Sequence, residues 1–444
     1  MLSIIIKNNI LNREELKDLL KHYNQERRID KPLLLISAER INYLDIFKRE
    51  FSNLTVYNNN IKIEEFDYIF DFLGSSKYLD KDTITRLNKL DRTVSIDINA
   101  SLSNINGLGT DILKSRETIV YQTYQPGHFL NMAKDYIGKL ILYKDKDTLS
   151  NTNLLEITDI KEYFPERLNF SNKGSFGKSY LIGGSISYSG AIKLANLSLT
   201  SLLAGSGRAT LVVDRKLTDI VAPYLLESTL MCLDNIEQVD TIISDSTAIL
   251  FGPGLDISEW NKKILDYLLI NNKKSLVIDA SGLAMIDKSL LLNKKCEVVF
   301  TPHPKEFARL IDKSVEEVLE NPMELAVSFA KKYKVILLLK GTTTVVTDGD
   351  NTYFVNEGHA GMATSGSGDV LSGILTGLIS YNKVSPKLVA AASFLAGYSA
   401  SLALDTTNDI SYIARDTIKF IPHAISDIRQ SEYRLYSFNL VEYG

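Results

Sequence analysis

The chain has 444 residues, 45% of them hydrophobic and 23% charged, and its 50 basic and 54 acidic side chains give a formal net charge of −4. At roughly 100–200 residues per domain, that length accommodates two to four domains. The near-balance of charge argues against a nucleic-acid coat or a polybasic membrane binder, both of which need a strong positive field; 25 Gly and 10 Pro exclude low complexity.

The two cysteines, Cys232 and Cys296, are too few for a disulfide framework and stand in no Cys-x-x-Cys pattern, so a reducing cytoplasm is expected and a zinc site is not. The N-terminal stretch MLSIIIKNNILNREE lacks the basic start and long apolar run of a secretion signal. The uncharged run Leu388–Leu404 is rich in Ala, Ser and Gly. A membrane span needs about 20 strongly apolar residues, so a close-packed buried helix is expected there instead.

In chain order, residues 1–152 are rich in Asn, Lys, Ile and Asp, with strands expected at Leu33–Ile36, Tyr68–Phe70 and Val94–Ile96. The polar stretch Lys144–Asn153 reads as a linker. Residues 153–444 form the second domain. Strands are expected there at Ser179–Ile182, Thr210–Val213, Ile249–Phe251, Leu276–Ile278, Val298–Phe300 and Val335–Leu339, with helices at Asn261–Leu269 and Pro322–Tyr333. Continuous apolar runs mark strands covered on both faces, and their alternation with helices predicts an open α/β sheet of parallel strands with right-handed crossovers. Such sheets bind ligands beyond the carboxyl ends of their strands. Those positions hold Gly183-Gly184-Ser185, Gly252-Pro253-Gly254, Asp279, Thr301-Pro302-His303-Pro304 and Lys340-Gly341.

The sharpest signal is Gly366-Ser367-Gly368-Asp369, followed by apolar residues at helical spacing. Glycines at a helix N-terminus let backbone N–H groups approach a phosphate, and the helix dipole favours its charge. Asp369 then lies in the first turn. It is either a dipole-compensating carboxylate or, with the glycines, a general base beside a phosphate donor. Lys340-Gly341-Thr342-Thr343-Thr344 offers a cation, a flexible position and three hydroxyls for phosphate or ribose. His303, between two prolines, is a loop-end contact to a ligand.

These residues, with Lys173–Lys178, Tyr188–Ala191, Gly205–Gly207, Asp279–Leu283, Thr301–Phe307 and Gly361–Thr364 in the same order, resemble the nucleotide-dependent NAD(P)H-hydrate dehydratases over about residues 155–430. The resemblance implies a three-layer α/β/α ribokinase-like domain. It also implies phosphorylation of the hydroxyl of hydrated NADH or NADPH, then loss of phosphate driven by the ring nitrogen. ADP, or ATP, with Mg²⁺ is the implied phosphoryl source, with AMP released when ADP is used. By matching position, Asp369 is the implied base, and Gly366, Ser367 and Gly368 hold the transferring phosphate. Lys340, Gly341, Thr342, Thr343 and Thr344 contact the nucleotide, while Ala191, Gly254 and His303 line the hydrated dinucleotide. The chain departs from the family pattern at Thr343, at Asp256 where glycine is usual, and at Ala396-Gly397 where His-Gly is usual.

Residues 1–152 are similar to the smaller Rossmann-like epimerase domain fused to such enzymes, through Asp71-Phe72-Leu73-Gly74, Ser95–Ser101 with Asp97, and Tyr124-Gln125-Pro126-Gly127. The family's Asn-Asn-Gly-Gly-Asp-Gly loop after the first strand is absent: Leu33–Ile36 is followed by Ser37-Ala38-Glu39-Arg40. Gln125 replaces lysine, and Asn99-Ala100 replaces serine-glycine. This puts a K⁺ site in that domain in doubt and leaves Asp71 and Asp97 as remnants of a degenerate site. The expected protein is therefore a homo-oligomeric cytoplasmic enzyme acting on the small molecule NAD(P)H-hydrate, with no nucleic-acid or membrane partner. The competing readings are a ribokinase-like sugar or vitamin kinase and a nucleotide-binding scaffold without catalysis.

Overall fold

A computed structural model describes residues 2–3, 12–29, 31–37, 43–75, 79–121, 123–143, 151–199, 203–432 and 440–443. The chain divides into two units, one built from Leu2–Asn153 with the C-terminal strand Leu440–Tyr443, the other from Leu154–Tyr433. The apolar N-terminal patch, the Glu39-Arg40 segment and most of the expected linker lie outside the described residues; at the linker's end, Thr152–Leu154 forms a strand.

The smaller unit carries six parallel strands: β1 (Leu33–Ile36), β2 (Leu54–Val56), β3 (Tyr68–Asp71), β4 (Thr93–Ile96), β5 (Glu117–Tyr121) and β6 (Lys139–Tyr143). They lie in the order β2-β1-β3-β4-β5-β6, and Leu440–Tyr443 adds antiparallel to β6. Period-2 geometry sends Leu33, Leu35, Phe70, Val94 and Ile96 to one face, against Leu16, Leu19, Leu20 and Phe47. It sends Leu34, Ile36 and Ile69 to the other, against Ile84 and Leu87. Both faces are covered, which is why the strands read as unbroken apolar runs. Chain order reverses between β1 and β3, the switch point at which doubly wound sheets bind ligands.

The larger unit carries β7 (Lys178–Ile182), β8 (Arg208–Val213), β9 (Thr229–Cys232), β10 (Ala248–Phe251), β11 (Ser275–Ile278), β12 (Val298–Phe300), β13 (Ile336–Leu339), β14 (Thr344–Thr347) and β15 (Thr352–Val355). Within the unit they run in the order β15-β14-β13-β12-β11-β10-β7-β8-β9. All run parallel except β14, which pairs antiparallel with β13 and forms with β15 a hairpin that the parallel-sheet reading did not foresee. One face carries Leu181, Leu211, Leu250, Val277, Val299 and Leu338 under the helices Ser189–Leu199, Ser367–Ile379, Pro386–Ala403 and Ala414–Gln430. The alternate residues are buried too; Phe300, for example, meets Phe329 of helix Pro322–Tyr333 edge-on, with ring centroids 6.0 Å apart. Three layers result. Pro386–Ala403 is the buried helix expected over Leu388–Leu404, and among the described residues no helix is long and apolar enough to cross a membrane. Both cysteines are free thiols.

Candidate active site

Parallel strands place all their carboxyl ends on one edge. The neighbour order β13-β12-β11-β10-β7 therefore sets Lys340, the Thr301-Pro302-His303 loop, Asp279, Gly252-Pro253-Gly254 and Gly183-Gly184 side by side. Chain order reverses between β10 and β7, so the two glycine turns flank the switch point. They pack tightly: Gly184 N–H donates to the Pro253 carbonyl at 2.8 Å. A Cβ on Gly254, whose φ is +68°, would stand 2.5 Å from the Tyr188 carbonyl oxygen and 2.9 Å from the Ala191 Cβ. Ala191 and Gly254, far apart in sequence, thus share one wall.

Gly366 is the N-cap of helix Ser367–Ile379, with φ +95° and no side-chain cap. An L-residue is strained there, and its Cβ would stand 2.5 Å from Leu194 Cδ1. With no side chain covering the helix start, its first N–H groups and positive dipole end favour an anion. Lys340 adds a full charge at the same place, since its Nζ lies 3.4 Å from where a Gly368 Cβ would be. The Ser367 hydroxyl is buried and has no hydrogen-bond partner among the described residues. Such a group costs stability unless a ligand satisfies it. Together these features fit a phosphate.

Lys340 is held by two carboxylates, with Nζ 3.3 Å from Asp279 Oδ1 and 3.9 Å from Glu306 Oε2. Asp279 is 2% exposed, so this charge is not a surface accident. Ala280, which follows it, takes φ +49°, a strained conformation for a residue with a side chain. Sequence reasoning quoted Asp279 and Glu306 as parts of motifs and assigned neither to the site. The available signal was their position just past neighbouring strands.

Asp369 occupies the first helical turn as expected. Burial raises its carboxyl to about 7, the negative charge of Asp279 adds to the rise, and Lys340 opposes it. A base poised near neutrality suits proton abstraction at ordinary pH. His303 caps helix Pro304–Leu310, its Nδ1 accepting from Glu306 N–H at 3.3 Å while Glu306 Oε2 accepts from His303 N–H at 2.9 Å. Its ring is half-exposed on the site's edge, and burial of the remainder lowers its pKa while the Glu306 carboxylate opposes the shift. Gly341 and Thr342 are exposed, and Thr344 opens β14. Thr343 is turned inward: it is 3% exposed and its hydroxyl donates to Asn356 Oδ1 at 2.7 Å. That side chain braces the hairpin.

In the smaller unit, Asp71 is fully buried at the end of β3. Its carboxylate accepts from Leu73 N–H at 3.0 Å, Ser95 Oγ at 2.7 Å and Ala100 N–H at 2.8 Å. Asp97 keeps a strained φ of +73° just after β4, and its carboxylate accepts from Gln125 Nε2 at 3.3 Å.

On a ribokinase-like fold, the larger unit's strand-end edge thus gathers an uncapped Gly-Ser-Gly-Asp helix start, a lysine from a strand end and a carboxyl raised to near neutrality. The family model described as NAD(P)H-hydrate dehydratase matches residues 179–423. The chain belongs to the NAD(P)H-hydrate dehydratase family, which makes it a hydro-lyase of metabolite repair. It is 28% identical over 397 residues to the bifunctional NAD(P)H-hydrate repair enzyme of Dictyoglomus turgidum, covering 83% of this chain and 76% of that one. It is 28% identical over 265 residues to the ADP-dependent (S)-NAD(P)H-hydrate dehydratase of Bacillus subtilis, covering 59% of this chain and 94% of that one. Among solved structures, the B. subtilis ADP/ATP-dependent NAD(P)H-hydrate dehydratase co-crystallized with ATP and Mg²⁺ superposes with a TM-score of 0.57 at 26% identity, covering 63% of this chain and all of that one.

If Asp369 is the base, kcat/KM should fall on the acid side with a midpoint near its carboxyl value of about 7. Asp279→Asn removes a charge that raises that value, so the acid limb should move to lower pH. A pH profile of NADH restoration measures both, and an unmoved limb counts against Asp369.

Proposed function

We propose that the chain restores NAD(P)H from its (S)-hydrate, using ADP in preference to ATP as phosphoryl donor and releasing AMP. The observation that carries this reading is Asp369, a carboxylate raised to about 7 at an uncapped helix start beside Lys340. In this reading Asp369 takes the proton from the ring hydroxyl as its oxygen attacks the terminal phosphorus. Gly366, Ser367 and Gly368 hold the transferring phosphoryl group through backbone N–H groups and the Ser367 hydroxyl. Lys340 offsets the charge that builds on it, aligned by Asp279 and Glu306. Gly341, Thr342, Thr344 and the Thr343 backbone receive the nucleotide, while Ala191, Gly254 and His303 position the hydrated ring. The ring nitrogen lone pair then expels phosphate, leaving a ring iminium, and loss of the proton from the adjacent ring carbon to solvent re-forms the C=C bond. Mg²⁺ supplies charge neutralisation on the nucleotide phosphates. Among the described residues no group of three or more His, Cys, Asp or Glu stands ready to hold a metal.

The reading assigns no epimerase activity to the smaller unit. It is supported by the absent glycine loop at the β1/β3 switch point, by Gln125 in place of lysine, and by the complete engagement of Asp71. A mixture of R and S hydrates incubated with the full chain and ADP tests both parts through recovery of NADH absorbance. Recovery should be biphasic, a fast phase for the S form followed by a slow phase at the uncatalysed epimerisation rate. A single fast phase to completion would show a working epimerase, and no recovery would overturn the dehydratase.

A further inference from the structure

A second cavity, of about 330 Å³, opens at the same sheet edge on the far side of the switch point. It is lined by the Gly183-Gly184-Ser185 turn after β7, by Asp214 and Lys216 after β8, and by Asp256 and Trp260 at the start of the segment after β10. The glycine turn is a shared wall: its other side meets Pro253, whose neighbour Gly254 abuts Ala191. The cavity therefore lies across that turn from the residues proposed to receive the hydrated ring. None of the roles assigned so far uses it.

Its layout is that of a strand, glycine turn, helix and adjacent parallel strand ending in a carboxylate. Gly184 takes φ +83°, helix Ser189–Leu199 follows, and β8 pairs with β7 and ends at Asp214. In doubly wound sheets a carboxylate at that point accepts hydrogen bonds from the hydroxyls of an adenosine ribose. Asp214 is held in place because its Oδ1 accepts from Lys216 N–H at 2.8 Å. Trp260 is 36% exposed and offers a flat apolar face of the kind on which a base stacks. Neighbouring Arg215 is committed to Asp234, so the lining charges are Asp214 and Asp256 against Lys216 alone.

We infer that this cavity receives the adenosine half of the hydrated dinucleotide, and that Asp214 with Asp256 selects a free ribose 2′-hydroxyl over a 2′-phosphate, making the NADH hydrate the preferred substrate. The inference rests on the dehydratase reading. It deepens that reading by naming which of the two hydrates the site takes.

The test compares kcat/KM for three substrates in the full chain: NADH hydrate, NADPH hydrate, and the hydrate of reduced nicotinamide mononucleotide, which lacks the adenosine. The wild type should favour NADH hydrate over NADPH hydrate by about tenfold or more, the scale of one close like-charge repulsion in a partly screened site. In Asp214→Asn/Asp256→Gly that ratio should fall at least about fivefold, chiefly through KM, while turnover of the mononucleotide hydrate keeps its ratio to wild type. Trp260 is the only tryptophan in the chain, which gives a readout independent of turnover. With the nucleotide site filled by a non-transferring analogue, NAD⁺ should quench its fluorescence at lower concentration than NADP⁺, and nicotinamide mononucleotide should not. Equal quenching by the mononucleotide, tighter NADP⁺ binding, or an unchanged substrate ratio in the double variant would overturn the inference. Loss of all hydrate turnover in the wild type would instead overturn the dehydratase reading, with the quenching order still deciding the cavity.

Discussion

Asp369→Asn is expected to lower kcat for NADH restoration by about 10²–10⁴, the range for losing a positioned general base, while the Kd for the nucleotide changes little. The amide keeps the shape and the helix start but cannot accept the proton. A purely structural Asp369 predicts the opposite pattern, near-normal turnover with lost stability. The sign of the stability effect separates the two. Burial raises the folded-state carboxyl from its ordinary value of 3.8 to about 7, so the ionised form is penalised in the folded protein. The penalty is absent below the unfolded value and fully present above the folded one. Asp369→Asn should therefore raise Tm at about pH 8, with the gain vanishing by about pH 4. Thermal melts at both pH values, beside single-turnover kinetics, decide the matter; a variant less stable at about pH 8 with turnover intact would remove Asp369 from the mechanism.

Lys340→Met is expected to have the second largest effect, a loss of about 10²–10³ in kcat/KM for the nucleotide, the scale of removing one preorganised charge aimed at a transition state. Two further consequences follow from its neighbours. Lys340 lowers the Asp369 carboxyl, so without it the acid limb of the pH profile moves to higher pH, opposite to the shift expected for Asp279→Asn. Asp279, 2% exposed and paired to Lys340 at 3.3 Å, would be left as a buried charge without its cation. That costs stability because solvent cannot replace the lost partner. The double variant Lys340→Met/Asp279→Asn should recover the stability and leave the nucleotide defect. Recovery of both would reduce Lys340 to a partner for Asp279.

The two units diverge at equivalent places in their sheets. Each sheet has a switch point and carboxylates at strand ends near it. In the larger unit, glycine turns leave that edge open at Gly183-Gly184 and Gly252-Pro253-Gly254. In the smaller unit, Asp71 is closed in by its own chain and Asp97 is held by a neutral amide. Asp97 takes a strained φ of +73° beside that amide.

Much of this was legible in the residues themselves. Doubly covered strands announce themselves as unbroken apolar runs, and each strand named from the sequence stands in the structure within two residues of its expected bounds. The Gly-Ser-Gly-Asp start was equally legible, because a left-handed N-cap requires glycine and a helix follows at once in the pattern. What the residues could not show is which strand ends become neighbours. That order is set by crossovers, and it alone brings Lys340, Asp279 and Glu306 together and buries Asp369 enough to raise its carboxyl. The β14–β15 hairpin and the inward turn of Thr343 were hidden for a related reason: three threonines read as a loop until β13 offers an edge to pair with. The return of Leu440–Tyr443 to β6 is likewise a pairing choice made far from its own sequence. The length allows two to four domains and the mild charge argues against a basic face, while the alternating apolar runs mark an α/β chain. Which unit keeps an open site is decided by tertiary structure, because a carboxylate's role depends on whether its partners come from the protein or from a ligand.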